Sequence, residues 1–302
     1  MSRRLPLQRL PAGFGLIELM IALVLGLLVM GAAIAVFQSN QNTYRANEGL
    51  NRMQENARVA FELLSRDLRA AGGSACSNKA LVQTTGAAST AYNDAVVGVN
   101  DTNNSLDAAR DQVTATAGDD TSYKVTAATS TSVTLDLAGT GITSATDAFK
   151  AGDVVLLCNA RYAYVVTATS VGTNTLGFAA LPGGYVPTND PSAPPMSVVV
   201  ARFRDNRWFV GSNGRGGNSL FVSRNGAAAD EIAEGVESLR VRYLENRPDG
   251  GCVQNTSYGD TAANWGCVSG VRLDMRLRGQ NVDGRTFTRD FSNVISLRSR
   301  NL

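Results

Sequence analysis

The stretch "GFGLIELMIALVLGLLVMGAAIAVF", Gly13 to Phe37, decides the fold of everything around it. From Phe14 onward it carries a single ionisable side chain, Glu18. As a helix the run spans about 36 Å, enough to cross a hydrocarbon core of about 30 Å. A carboxylate inside that core costs about 2.5–3.5 kcal/mol or more, so one that sits there marks a function and a partner. A plain single-pass anchor accounts for the length of the run but not for Glu18.

The sequence on either side narrows the classes available. Ahead of the run, Arg3, Arg4 and Arg9 supply more than the whole formal charge of +2. The slight basicity is therefore that of an N-terminal tag and argues for no nucleic-acid surface. Positive charge before an apolar span keeps that end cytoplasmic and sends the rest outward. A secretory signal would place a small-residue cleavage site after a short apolar run; here a basic stretch ends in Gly13 and the full-length run follows it. Histidine is absent, which removes Ser-His-Asp and Cys-His catalysis and every His-containing metal site. No metal ligand set, cofactor motif or nucleophile motif stands out, so neither an enzyme nor a cofactor is expected.

Helical patterning continues past the apolar run. Leu50, Met53, Ala57, Phe61, Leu64 and Leu68 fall on one face, and Glu48, Asn51, Arg52, Glu55 and Arg58 on the other. No proline intervenes before the Gly72–Gly73 stop. The expected helix thus has a bare first half and a second half docked on a sheet. After Gly73 the composition turns to Thr, Ser, Ala, Gly and Asn, with short alternating runs such as "SYKVTAA" and "TSVTLDL" that read as strands. Val154–Cys158 and Tyr162–Ala168 are further strands. "PGGYVPTNDPSAPP", Pro182 to Pro195, reads as a loop that divides the head in two. "MSVVVARFRDNRWFVG" reads as a hairpin turning at Asp205-Asn206. In "GVRLDMRLRG", Val271, Leu273, Met275 and Leu277 alternate with Arg272, Asp274, Arg276 and Arg278, the pattern of a half-buried antiparallel strand. "RTFTRDFSNVISLRSR" reads as the last strand.

"GFGLIELMIALVLGLL" resembles the leader junction of type IV pilins and type II secretion pseudopilins. The resemblance implies that a prepilin peptidase cuts between Gly13 and Phe14 and methylates the new N-terminus, with Glu18 at the fifth mature position. The serine usual in the family's "GFSLIEL" is Gly15 here. Further stretches are similar to PilW-type minor pilins: "NRMQENARVAFELLSRDLRAAG", "GDVVLLCNA", "WFVGSNGRGGNSLFVSR", "EGVESLRVRYL", "VSGVRLDMRLRG" and "FSNVISLRSRNL". Ser74–Ala148 is the least similar part and reads as an insertion or divergent region.

The resemblance implies an α+β, pilin-like fold. Its parts are a leader (1–13), a transmembrane or filament-core helix (14–37), an amphipathic continuation (38–72) and a β-rich periplasmic head (73–302). It implies a non-enzymatic minor pilin that helps initiate pilus assembly in the inner membrane and is carried at the pilus tip. The implied partners are other minor pilins, the major pilin, the prepilin peptidase, the assembly platform and inner-membrane lipid. Phe14 is the implied methylation site, and Glu18 the charge that meets a neighbouring subunit's amine. A pseudopilin of a type II secretion system, and a tip adhesin or DNA-uptake subunit, are the alternatives; no basic or aromatic cluster supports nucleic-acid binding.

Cys76, Cys158, Cys252 and Cys267 form no CxxC pair, and wide spacing behind a membrane-targeting segment favours disulfides. A Cys252–Cys267 bridge would close a short loop, and a Cys76–Cys158 bridge would tether the helix end to the sheet, although four cysteines allow three pairings. "GSNGRGGNS" fits no phosphate-binding pattern and reads as a hairpin loop. "DGG" at Asp249–Gly251 and "NVDG" at Asn281–Gly284 read as turns rather than calcium loops. Asp119-Asp120 reads as a solvated loop, and Arg298 and Arg300 as an exposed edge.

Overall fold

A computed structural model describes residues 15–74, 76, 81–83, 94–101, 106, 108–159, 162–181, 185, 198–247, 251–279 and 286–297. Gly13, Phe14, Asp249, Asn281–Gly284, Arg298 and Arg300 lie outside them, as does the 182–195 loop except Tyr185.

Helix α1 runs unbroken from Leu16 to Ala70, 55 residues, or about 80 Å of chain. The chain divides into two compact units, and α1 contributes to both. The first unit comprises the chain to Arg52 together with 280–286; the second comprises Met53–Gly279 and Phe287–Leu302. In the second unit Met53, Ala57, Ala60, Leu64 and Leu68 are buried. Phe61, expected on that stripe, is only half-buried, and the small Ala60 takes the inner place. The helix ends where Gly72 takes a left-handed φ of 71°, open to glycine at little cost.

The strands are β1 (Leu81–Gln83), β2 (Val96–Val99), β3 (Gln112–Ala128), β4 (Ser132–Asp136), β5 (Val154–Cys158), β6 (Tyr162–Val171), β7 (Thr175–Phe178), β8 (Val199–Ser212), β9 (Asn218–Arg224), β10 (Asp230–Glu234), β11 (Val236–Glu245), β12 (Val268–Arg278) and β13 (Thr288–Ser296). All pairings are antiparallel except that of β1 with β6. The architecture is α+β and dominated by antiparallel sheet.

The larger sheet closes on itself. Following the pairings β3–β4–β7–β6–β5–β8 returns to β3, because β8 also pairs with β3. The far half of that β3–β8 ribbon instead carries β2 on one side and β9–β10 on the other. One end of the ribbon is thus the wall of a six-stranded barrel, and the other is the middle of an open sheet. The barrel interior follows the period-2 alternation of each strand: Tyr123 and Val125, Val133 and Leu135, Val155 and Leu157, Tyr164 and Ala168, Leu176 and Phe178, and Val200. Phe149 and Tyr185 join that core. Closure leaves these six strands without a free edge over the barrel.

Three sequence expectations are corrected here. Asp205-Asn206 is not a turn: β8 runs straight through it, pairing with Thr116 and Ala115 on one side and, at Asn206, with Arg224 on the other. Asp119-Asp120 is not a loop but an irregularity inside β3, where the register shifts between Gly118 and Ser122 and Arg204 lies opposite both carboxylates. Within the 74–148 region β3 pairs with β2, β4 and β8, so this part of the chain is built into the large sheet. The division of the head also falls elsewhere than the 182–195 loop. Strands on both sides of that loop share one sheet, and the change to the separate β11–β12–β13 sheet comes at Gly235.

Candidate functional site

Two places in the chain concentrate its polar chemistry, one at the bare helix start and one where the helix joins the head. The first is the start of α1. Gly15 is the first described residue, and its carbonyl accepts hydrogen bonds from Glu18 N–H and Leu19 N–H, opening the helix. Glu18 lies in the first turn and is exposed. The large apolar side chains from Leu16 to Phe37 stand 55–80% exposed. This is the one helix among the described residues long and apolar enough to cross a membrane. So wide a bare apolar surface needs a nonaqueous partner. A helix bare on every side has no inner face on which to hide Glu18, so its carboxylate enters any apolar surroundings together with the rest of the turn.

The second place is where the helix leaves for the head. Gly72 N–H donates to Thr116 C=O, and Gly118 N–H to Gly73 C=O, so the exit strap runs along β3 at the point where barrel becomes open sheet. Space at Gly118 is tight: a Cβ would come within 3.2 Å of both Ser74 Cα and Leu156 Cδ2, so strap or side chain would have to give by a few tenths of an ångström. One turn earlier, Asp67 Oδ2 accepts from Asn206 Nδ2 and Trp208 Nε1, each at 2.9 Å, although both donors are almost fully buried on β8. Sequence reasoning missed this clasp. Asp67 adjoins the apolar stripe, and the sequence reads Asn206 as a turn residue, so only the pairing of β8 reveals them as partners.

The structure brings the four cysteines together in two bonded pairs. Cys76 is joined to Cys158 on the outer face of β5, with Cα atoms 5.5 Å apart. Cys252 is joined to Cys267 ahead of β12, at 5.6 Å. Around the second pair Glu245 accepts from Asn264 N–H and Asn255 Nδ2, holding the loop against β11.

The remaining sequence candidates are structural where they are described. The 213–217 loop joins β8 to β9, and Asn213 Oδ1 accepts from Arg215 N–H and Gly217 N–H, so the loop satisfies its own backbone. Among the described residues no group of three Asp, Glu, His or Cys side chains is arranged to hold a metal ion. The β11–β12–β13 sheet carries a ladder of ion pairs. Burial pushes the Asp274 carboxyl up, but hydrogen bonds from Arg242, Ser292 and Arg272 outweigh it and hold the group below the usual aspartate value. Asp290 is lowered by the paired Arg276 guanidinium, at 2.6 and 2.8 Å. Burial pushes Asp111 up even though Val241 N–H and Asp101 N–H both donate to it.

Residues 9–34 match the prokaryotic N-terminal methylation motif. Among solved structures, a type IV-like pilin, TTHA1219 from Thermus thermophilus, is similar at 13% identity and a TM-score of 0.32, over 83% of this chain and 98% of that one. Comparison with curated proteins gives no match.

Proposed function

We propose that the chain is a non-enzymatic structural subunit of a bacterial type IV pilus: a PilW-like minor pilin that helps start assembly in the inner membrane and is carried at the pilus tip. The observation that carries this reading is the methylation motif at residues 9–34, set on a helix half whose apolar side chains are uncovered. In this reading a prepilin peptidase cuts between Gly13 and Phe14 and methylates Phe14. In this reading the head lies in the periplasm; the arginine-rich N-terminus favours that orientation, and two disulfides suit an oxidising compartment.

The assembly step follows from the physics of Glu18. In the membrane the mature amine of Phe14 lies near the lipid surface while Glu18 sits a turn deeper. As the subunit joins a filament, burial of the bare helix among the helices of other pilins drives association. Glu18 meets the amine of a neighbouring subunit. Two charges moved out of water are tolerated when paired, and a mispaired register leaves both orphaned. The charge therefore selects register while apolar burial supplies the drive.

Mass spectrometry of the mature N-terminus, on protein from sheared pili and from membranes, tests the reading. A methylated Phe14 terminus in the pilus fraction is the expected result. An uncut Met1 form confined to membranes would reduce the apolar run to an anchor.

A further inference from the structure

The sheets of the head end in strand edges, and the chain guards them unequally. β10 is an edge of the large sheet; it is short, carries Asp230, Glu231 and Glu234, and is broken by an irregularity between Glu231 and Ala233. β2 is four residues long. In the small sheet, the outer edge of β11 is already occupied: Leu239 N–H donates to Ala109 C=O, Val241 N–H to the Asp111 carboxylate, and Tyr243 N–H to Gly259 C=O. Short, charged or covered edges resist further strand pairing.

β13 is neither short nor broken nor covered by a strand among the described residues, and its two charges, Arg289 and Asp290, lie in its first third. It is nine residues long, and from Phe291 to Ser296 it contains neither charge nor proline. Its ladder with β12 is regular from Thr288 to Ser296. Leu297 N–H donates to Ser269 C=O, and Gly279 N–H to Phe287 C=O, which fixes the phase. The odd-numbered residues turn their backbone groups toward β12. Thr288, Asp290, Ser292 and Val294 turn theirs toward the open side. Among the described residues no strand lies beyond them.

We infer that the open edge of β13 receives an extended segment of a different protein subunit, which adds a strand to the β11–β12–β13 sheet. The inference rests on the filament reading for its setting, and the side chains on the two faces of β13 define the guest. The row Arg289, Phe291, Asn293, Ile295 holds two apolar groups and one exposed guanidinium that makes no ion pair among the described residues. Ile295 is already buried in the head, so a fitting guest sets an apolar residue beside the half-buried Phe291 and a carboxylate beside the exposed Arg289. A second copy of the chain fits worse. Antiparallel pairing of β13 with itself lays this row against its own like, which holds no carboxylate, and leaves both arginines uncompensated. Backbone bonds supply affinity and the alternate side chains supply choice, as in strand addition generally.

The test places the photo-cross-linker p-benzoylphenylalanine at Val294, 52% exposed, in the full chain in the producing cells. A cross-link mapped to an extended, alternating segment of another protein, with an acidic residue placed for Arg289, is the expected result. Ser292→Pro removes one outward N–H and leaves the backbone ladder to β12 in place, at the loss of the Ser292 side-chain hydrogen bond to Asp274, and should lower that cross-link roughly tenfold. Intact disulfides and protease resistance of the variant report its folding. Arg289→Glu is the second variant: it adds no proline, leaves the Arg276–Asp290 pair in place, sets like charge against the guest's carboxylate and should have the same effect. Cross-links only to a second copy, or none, or cross-links indifferent to both variants, would overturn the inference. The N-terminus of the same samples is sequenced in parallel. A mature Phe14 without the cross-link defeats the edge alone, while an uncut Met1 defeats the filament reading whatever the cross-link shows.

Discussion

Asp67 shows how much a single side chain can hold. Its carboxylate is the shared acceptor for two donors, Asn206 Nδ2 and Trp208 Nε1, that have almost no access to water. Truncation leaves both unsatisfied in a dry setting, at about 1–3 kcal/mol each. Asp67→Ala should therefore lower the thermal midpoint of the head by many degrees and shift the fluorescence of Trp208, whereas Asp67→Asn, which keeps an acceptor oxygen, should recover more than half of the loss. Equal damage from both variants would show that charge rather than hydrogen bonding is what matters. Gly98 is held by sterics instead. A Cβ there would lie 1.8 Å from the hydroxyl of Tyr243, itself buried and packed edge-on against Trp265. Gly98→Ala must move β2 or Tyr243, and should cost about 1–3 kcal/mol in chemical denaturation. Neither constraint can be read from sequence, because each depends on which strands become neighbours.

Single elements were more legible. The alternation of Val271, Leu273, Met275 and Leu277 with charged neighbours gave β12 its buried face and its ladder of arginines, because the period of a half-buried strand is local. Asp205-Asn206 misled for the opposite reason: turn-forming residues lie mid-strand because the Asn206 side chain is spent on Asp67 and Asn225 Oδ1 accepts from Asp205 N–H. The ion pairs between β12 and β13 have a pH dependence of definite sign, opposite to that of Asp111 beside β11. Asp274 and Asp290 both titrate below the ordinary 3.8, so their stabilisation is fully present above pH 3.8 and is lost as pH falls through their depressed folded values. The protection of β12 amides, measured against their intrinsic exchange rate at each pH, should hold steady down to about pH 4 and then fall, and Asp274→Asn should weaken protection at neutral pH and flatten the acid limb. The two disulfides differ by loop length. The chain-entropy model gives about 4.5 kcal/mol for a separation of 82 residues and about 3 kcal/mol for 15. Cys76→Ser with Cys158→Ser should thus cost more, by calorimetry, than Cys252→Ser with Cys267→Ser.

At the scale of the whole molecule the sequence announced a long helix and an antiparallel head but not the closure of the barrel. β3 joins β8 across more than seventy residues of chain, and no local pattern records a pairing at that distance. What the sequence did record is the part that must leave water. The large apolar side chains of the first half of α1 are uncovered from Leu16 to Phe37, and the one carboxylate among them has to enter the same surroundings. If burial of that half drives assembly and Glu18 selects register, the two functions separate by mutation. Glu18→Ala removes the cost of burying a charge, so membrane insertion and processing at Gly13–Phe14 should proceed as in the wild type. The neighbouring amine then loses its partner, and incorporation into sheared pili should fall at least about tenfold, the loss expected when one member of a buried pair is removed. Glu18→Gln keeps the shape and a hydrogen-bonding oxygen but not the charge, so it should resemble alanine if pairing is ionic and the wild type if hydrogen bonding suffices. Quantifying the chain in pili against membranes for the three proteins decides it: equal incorporation of all three would leave apolar burial as the whole of the assembly force and Glu18 without a role in it.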